Sequence, residues 1–164
     1  MSVKLIDFQL AQQELQRALS EMRNGSFVTV GIHEDTCNHP DAGISNAQLG
    51  ALLNFGDDMN TLNGMSAPIP PRPWLIPGVE SGTLDIIDTL KSGFESGAPL
   101  NQTLEQVGAV AAGAAQVYMT ELRDPPNAAY TIEQKGSDNP LIDTGALRAS
   151  VTYKVTPSKP EEGL

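Results

Sequence analysis

The sequence predicts an α+β domain: a small antiparallel or mixed sheet packed against a long central helix and shorter helices, with extended proline-rich and polar loops. Three observations predict it. Residues 27–32 and 151–155 alternate apolar and polar positions with the two-residue period of half-buried strands. Residues 101–123 keep a helical apolar spacing without interruption, and Asp124-Pro125-Pro126 closes the run. The 15 Gly and 12 Pro demand many irregular connections. A length of 164 residues suits one domain, which is expected over 1–155, with 156–164 as a flexible, aperiodic tail.

Leu5, Phe8, Leu15, Leu19 and Met22 fall on one face of a first helix, with Gln12 as its polar interruption, and Asn24-Gly25 stops it. Val28, Val30 and Ile32 then form one side of a strand, with Thr29 and Gly31 between them. Ser45 and Gln48 have the spacing of a capping box, and Ile44 and Leu49 that of its hydrophobic staple. The helix they open runs through Leu49, Leu52, Leu53 and Phe55 to Gly56, a left-handed terminator.

Residues 57–73 read as a loop and arm. The stretch 57–67 is small and polar, as a surface loop requires. Pro68, Pro70, Pro71 and Pro73 then enforce an extended path that leads into Trp74, the only tryptophan. Such a stiff segment is a docking arm, low in ordering entropy before it binds, or it delivers Trp74 to the domain's own core. Leu84, Ile86, Ile87, Leu90 and Phe94 give the next helix, which fades at Gly97-Ala98-Pro99.

In the central helix Asn101 is the expected cap. Leu104, Val107, Ala111, Ala114, Tyr118 and Leu122 share one face, and Gly108, Ala112 and Ala115 form a second face that permits close approach of another element. Tyr130-Thr131-Ile132 reads as a short strand, 135–140 as a turn, and Val151, Tyr153 and Val155 as a last strand. Between these, Asp143 and Thr144 are expected to cap a short turn holding Gly145, Ala146, Leu147 and Arg148, with Arg148 near the end where a cation is favoured.

Ten Lys and Arg against twenty Asp and Glu leave a net charge of −10, which opposes grip on phosphate backbones and anionic lipid surfaces. One cysteine allows no internal disulfide, so a reducing compartment is expected. Lys4, Asp7 and Glu14 interrupt any signal-like apolar run at residues 1–15, and the most apolar stretch, 107–117, is too short to span a bilayer.

His33, Glu34, Asp35, Cys37, His39 and Asp41 form the densest group of metal-ligating types. They allow a zinc-dependent hydrolase with Glu34 polarising water, but the spacing fits no helical two-histidine pattern, and Pro40 and Gly43 make a loose loop. A solvated loop explains the group more simply. No phosphate-cradling glycine pattern is present, and no cofactor is expected.

Three segments together resemble the neck and tail-completion proteins of tailed bacteriophages. They are Val28-Thr29-Val30-Gly31-Ile32 after an N-terminal helix, Ile69-Pro70-Pro71-Arg72-Pro73-Trp74-Leu75, and Asn139-Pro140-Leu141-Ile142-Asp143-Thr144-Gly145-Ala146-Leu147-Arg148 before a final strand. Their order and spacing match over most of residues 27–155. In that family an acid commonly precedes the Phe-Gly that closes the second helix, where this chain has Asn54-Phe55-Gly56. The resemblance implies a non-catalytic structural virion protein, assembled in the host cytoplasm into a homo-oligomeric ring at the head-to-tail junction. A tail-terminator ring is the alternative within the class. Implied partners are sister subunits, the portal-side adaptor and the tail terminator, with genomic DNA only passing through the lumen and no membrane. It further implies Arg72, Pro73 and Trp74 as a docking arm, and Leu141, Asp143, Thr144, Gly145, Leu147 and Arg148 as a loop and turn that position the arm or touch the next subunit.

Overall fold

A computed structural model of the chain describes residues 25–33, 43–62 and 64–157, together with Gln13, Gln16 and Ser20, which are helical. The rest of the expected first helix, most of the His33–Asp41 cluster and most of the expected tail lie outside the described residues. In chain order the elements are β1 (Phe27–Gly31), α1 (Asn46–Phe55), β2 (Thr61–Leu62), β3 (Met65–Ser66), α2 (Leu75–Ser81), α3 (Thr83–Glu95), α4 (Leu100–Glu121), α5 (Ala129–Lys135), α6 (Ala146–Ser150) and β4 (Thr152–Thr156). This is the expected α+β arrangement: the sheet of β1 and β4 and the helices α2 and α3 all pack on the 22-residue α4.

The small residues of α4 explain how so many elements reach it. A Cβ added to Gly78 would stand 2.9 Å from the Cα of Ala115, and one added to Gly82 would stand 2.6 Å from the Cβ of Ala114. One added to Gly93 would overlap the Thr103 side chain. The α2–α3 pair therefore lies against α4 almost backbone to backbone, an approach that larger side chains forbid. On another side of α4, Gly108 accepts the ring of Tyr153 from β4. The small-residue face expected from Gly108, Ala112 and Ala115 is the buried one, joined by Thr103, Ala111 and Met119.

β1 and β4 pair antiparallel from Phe27↔Thr156 to Gly31↔Thr152, so Val28 faces Val155 and Val30 faces Tyr153 across the ladder. β4 reaches Thr156, the first residue assigned to the tail. The core gathers Trp74, Ala115, Met119, Leu122, Leu141, Leu147 and Val151, with Ile32, Leu49, Leu53, Leu75, Val79 and Tyr118 packed around them.

α1 begins as expected: the Ser45 hydroxyl accepts from the Gln48 N–H at 3.1 Å, and the Gln48 side chain accepts from the Ser45 N–H at 2.9 Å. Gly56 ends it at φ 77°. Three expectations need correction, and one element was not expected. Tyr130-Thr131-Ile132 is helical, inside α5, because the run has no strand to pair with and is flanked by good helix formers; Gly136, at φ 66°, closes the helix. The polar stretch 57–67 is a hairpin of β2 and β3, tied at its base by Asp57 and Ile69. Pro99, not Asn101, holds the N-cap position of α4, its φ of −55° turning extended chain into helix. Residues 75–81, left without an element, form α2, which tolerates Pro77 because it falls in the first turn.

Candidate functional site

The proline-rich arm is bound along its length to the end of α1. Asp57 and Ile69 exchange backbone hydrogen bonds of 2.8 and 2.9 Å, and the Arg72 N–H donates to the Leu53 carbonyl at 2.8 Å. The Oδ1 of Asn54 accepts from the Trp74 N–H at 3.1 Å and from the Leu75 N–H at 3.5 Å. These donors lie at the N-terminus of α2 and have no acceptor within the helix. The Asn54 amide oxygen thus serves as the acceptor that these two donors need.

The arm thus places Trp74 in the core, 3% exposed, with its indole N–H donating to the Gly50 carbonyl at 3.0 Å. Ile32, Trp74 and Leu147 all border Gly50: a Cβ there would lie 2.8, 3.3 and 3.6 Å from their side-chain carbons. Each of the three segments that carry the family resemblance contributes one of these residues, so the motifs meet in one packing cluster. Leu141 joins the same core.

Arg72 is also turned inward, 5% exposed. Its Nε donates to the Pro125 carbonyl at 2.9 Å, and its Nη2 donates to the Pro126 carbonyl at 3.0 Å and to Asn127 Oδ1 at 3.4 Å. Among the described residues no carboxylate pairs with it, and burial pulls its pKa below the ordinary guanidinium value. The side chain clamps the arm to the chain leaving α4. Of the expected docking arm, Pro73 is exposed, whereas Arg72 and Trp74 are occupied inside the chain.

Asn139, read from the sequence as turn chemistry and as the start of the third resembling segment, is the second organiser. Its Oδ1 accepts from the Leu141 and Ile142 N–H groups, both at 2.9 Å, and its Nδ2 donates to the last-turn carbonyls of Met119 and Thr120 at 3.3 and 2.9 Å. Its own carbonyl accepts from Asn127 Nδ2 and from Lys135 Nζ. Desolvation is the main influence lowering the Lys135 pKa; Asp143 opposes it and Arg72 adds to it. Asn127 and Lys135 were not singled out in the sequence, and the reach of Asn127 to Arg72, 55 residues away, and of Asn139 to the end of α4, 19 and 20 residues away, is invisible in a local reading.

The remaining predicted residues face outward. Gly145, at φ 85°, holds the N-cap position of α6, while the Thr144 hydroxyl accepts from the Ala146 N–H at 3.3 Å. Asp143 is exposed and caps nothing. Arg148 is exposed in the last turn of α6 and donates to Thr120 Oγ1 at 3.1 Å. Beside it opens a groove of about 390 Å³ between α4 and α6, lined by Gly113, Gln116, Val117, Thr120, Arg148 and Ala149.

Large apolar side chains are also exposed on two sets of elements. Phe55 at the end of α1, with Met59 and Met65 in the hairpin region, forms one set; Ile76 on α2 and Leu84 and Ile87 on α3 form the other.

Of the metal-ligating cluster only His33 is described: its Nε2 lies 3.1 Å from the Thr29 hydroxyl. Among the described residues no three His, Cys, Asp or Glu side chains are grouped to hold a metal ion, and no helix is long and apolar enough to cross a membrane. No protein-family model, curated protein or solved structure matches the chain.

Proposed function

We propose that the chain is a non-catalytic structural protein of a tailed-bacteriophage virion, working as a ring of identical subunits in the neck, at the head-to-tail junction. The observation that carries this reading is the exposed apolar surface of a single copy. Leu84 is 78% exposed, Met59 87%, and Phe55, Met65 and Ile76 between 65 and 69%. Several large apolar side chains left in water on two sets of elements call for protein neighbours. Two different surfaces on one chain suit head-to-tail contacts, which close into rings when the rotation between copies permits.

The three resembling segments support the same reading from the interior. Ile32, Trp74 and Leu147 build one framework around Gly50, so the family pattern corresponds to a scaffold that carries outward-facing loops. In that role DNA passes through the lumen without being gripped, as the net charge of −10 favours. The partners are sister copies first, then the portal-side adaptor and the tail terminator.

The test is the molar mass in solution, measured by light scattering across a concentration series, alone and mixed with head-to-tail junction proteins. A discrete multimer in either condition is expected. A monomer in both conditions overturns the proposal.

A further inference from the structure

The groove between α4 and α6 and the outer face of α3 differ in shape and charge in ways that fit each other. Gly113, Gln116, Val117 and Thr120 recur at three- and four-residue steps and share one face of α4. α3 packs elsewhere on the same helix, through Gly82 against Ala114 and Gly93 against Thr103. The groove has room for an incoming side chain, since a Cβ on Gly113 would meet nothing within 4 Å, and its apolar wall includes Val117, 57% exposed. Arg148 stands at its side with no carboxylate partner among the described residues.

The outer face of α3 is the complement. Leu84 and Ile87, 78% and 53% exposed, lie one turn apart, and Asp88 follows four residues after Leu84. Lys91 on this helix is engaged with Glu95 at 3.8 Å, whereas Asp88 has no cationic partner among the described residues. Among the described residues, an apolar pair beside an acid without a cationic partner thus complements an apolar groove beside an arginine without a carboxylate partner.

We infer that α3 of one copy docks in the α4–α6 groove of a second copy of this chain, with Leu84 and Ile87 against Val117, Ala149 and Gly113 and with Asp88 beside Arg148. Within one copy the two surfaces belong to different sides of α4, so a chain does not satisfy its own groove. Each copy offers one helix and one groove, and the contact is therefore heterologous: it propagates head to tail and closes into a ring when the rotation between copies permits. The inference rests on the oligomeric reading above and assigns its interface.

Four variants test it: Gly113→Leu, Asp88→Arg, Arg148→Glu and the double exchange Asp88→Arg with Arg148→Glu. Light scattering gives the concentration at half-assembly, and far-UV circular dichroism verifies the fold. Gly113→Leu fills the groove in space that is open in the single chain. Each single variant is expected to raise the half-assembly concentration about tenfold or more, as like charges or bulk at an interface do. The double exchange is expected to restore assembly. Single variants that assemble like the wild type while keeping its circular dichroism overturn this contact and leave the oligomeric reading standing. A wild-type chain that stays monomeric, alone and with junction proteins, overturns both.

Discussion

The indole N–H of Trp74 donates to the backbone carbonyl of Gly50 at 3.0 Å, in the middle of a helix whose carbonyls are ordinarily committed to its own ladder. The bond is possible because residue 50 has no side chain to hold the ring away, and it fixes the exit of the proline-rich arm against α1. The segment expected as a docking arm is held within its own fold through Arg72 and Trp74, while Pro73 stays at the surface.

Trp74→Ala is therefore expected to unfold the single chain rather than only uncouple it from partners. Loss of a buried tryptophan costs about 3–5 kcal/mol, a large share of the roughly 5–15 kcal/mol typical of a domain. Trp74→Phe keeps most of the burial, loses the bond to the Gly50 carbonyl while leaving that carbonyl within its helix, and is expected to cost about 0.5–1.5 kcal/mol. Urea titration of the two variants, followed by circular dichroism, gives the ranking; equal stability of Trp74→Ala and wild type contradicts it.

Arg72→Lys keeps the charge and loses the fork. An ammonium cannot reach the carbonyls of Pro125 and Pro126 with the geometry of Nε and Nη2. Hydrogen bonds from charged groups contribute about 1.5–3 kcal/mol, so a loss of that order is expected in the denaturation midpoint. If lysine serves as well as arginine, the clamp is not what holds the arm to the chain after α4.

Gly108→Ala sets two effects against each other. Alanine gains about 1 kcal/mol in helix propensity, but its Cβ would stand 2.6 Å from Tyr153 Cγ, and overpacking of this kind costs about 1–3 kcal/mol. The ring cannot yield without moving β4, so the steric cost wins and the melting temperature falls by about 2–4 °C for each net kcal/mol. Adding Tyr153→Leu is expected to recover part of the loss, a coupling that a double-mutant cycle reads directly.

Tyr153 also predicts an alkaline effect. A hydrogen bond to the Glu105 carboxylate, followed by desolvation and the Glu105 charge, raises the Tyr153 hydroxyl above its ordinary value. With the folded value above the unfolded one, near 10, the stabilisation is fully present below about pH 10 and is lost as the pH rises through the folded value. Tyr153→Phe lacks that loss, so wild-type stability is expected to fall more steeply than that of the variant above about pH 10. Lys135, whose value is lowered, contributes with the opposite sign, but it is present in both proteins and drops out of the comparison.

Much of the architecture was legible in short stretches of sequence. The Ser45–Gln48 capping box and the Gly56 stop appear as read, and strands form at β1 and β4 where the sequence places them, because each depends on hydrogen bonds or side-chain periods that close within a few residues. The small face of α4 was legible too, since glycine and alanine at helical spacing announce a close neighbour. Which neighbours would come was not written there.

Long-range matching settled the rest. Phe27 pairs with Thr156, Arg72 finds acceptors 53 to 55 residues further on, and Asn139 reaches back 19 and 20 residues to the end of α4. Tyr130-Thr131-Ile132 shows the same limit from the other side: its β-forming side chains had no ladder to join, and the backbone bonded to itself as helix. Local chemistry sets what each segment can form. A polar group that must be satisfied, or an apolar one that must be covered, takes the partner that folding brings within about 3 Å for the bond and 4 Å for the contact, and no stretch of a few residues encodes that distance.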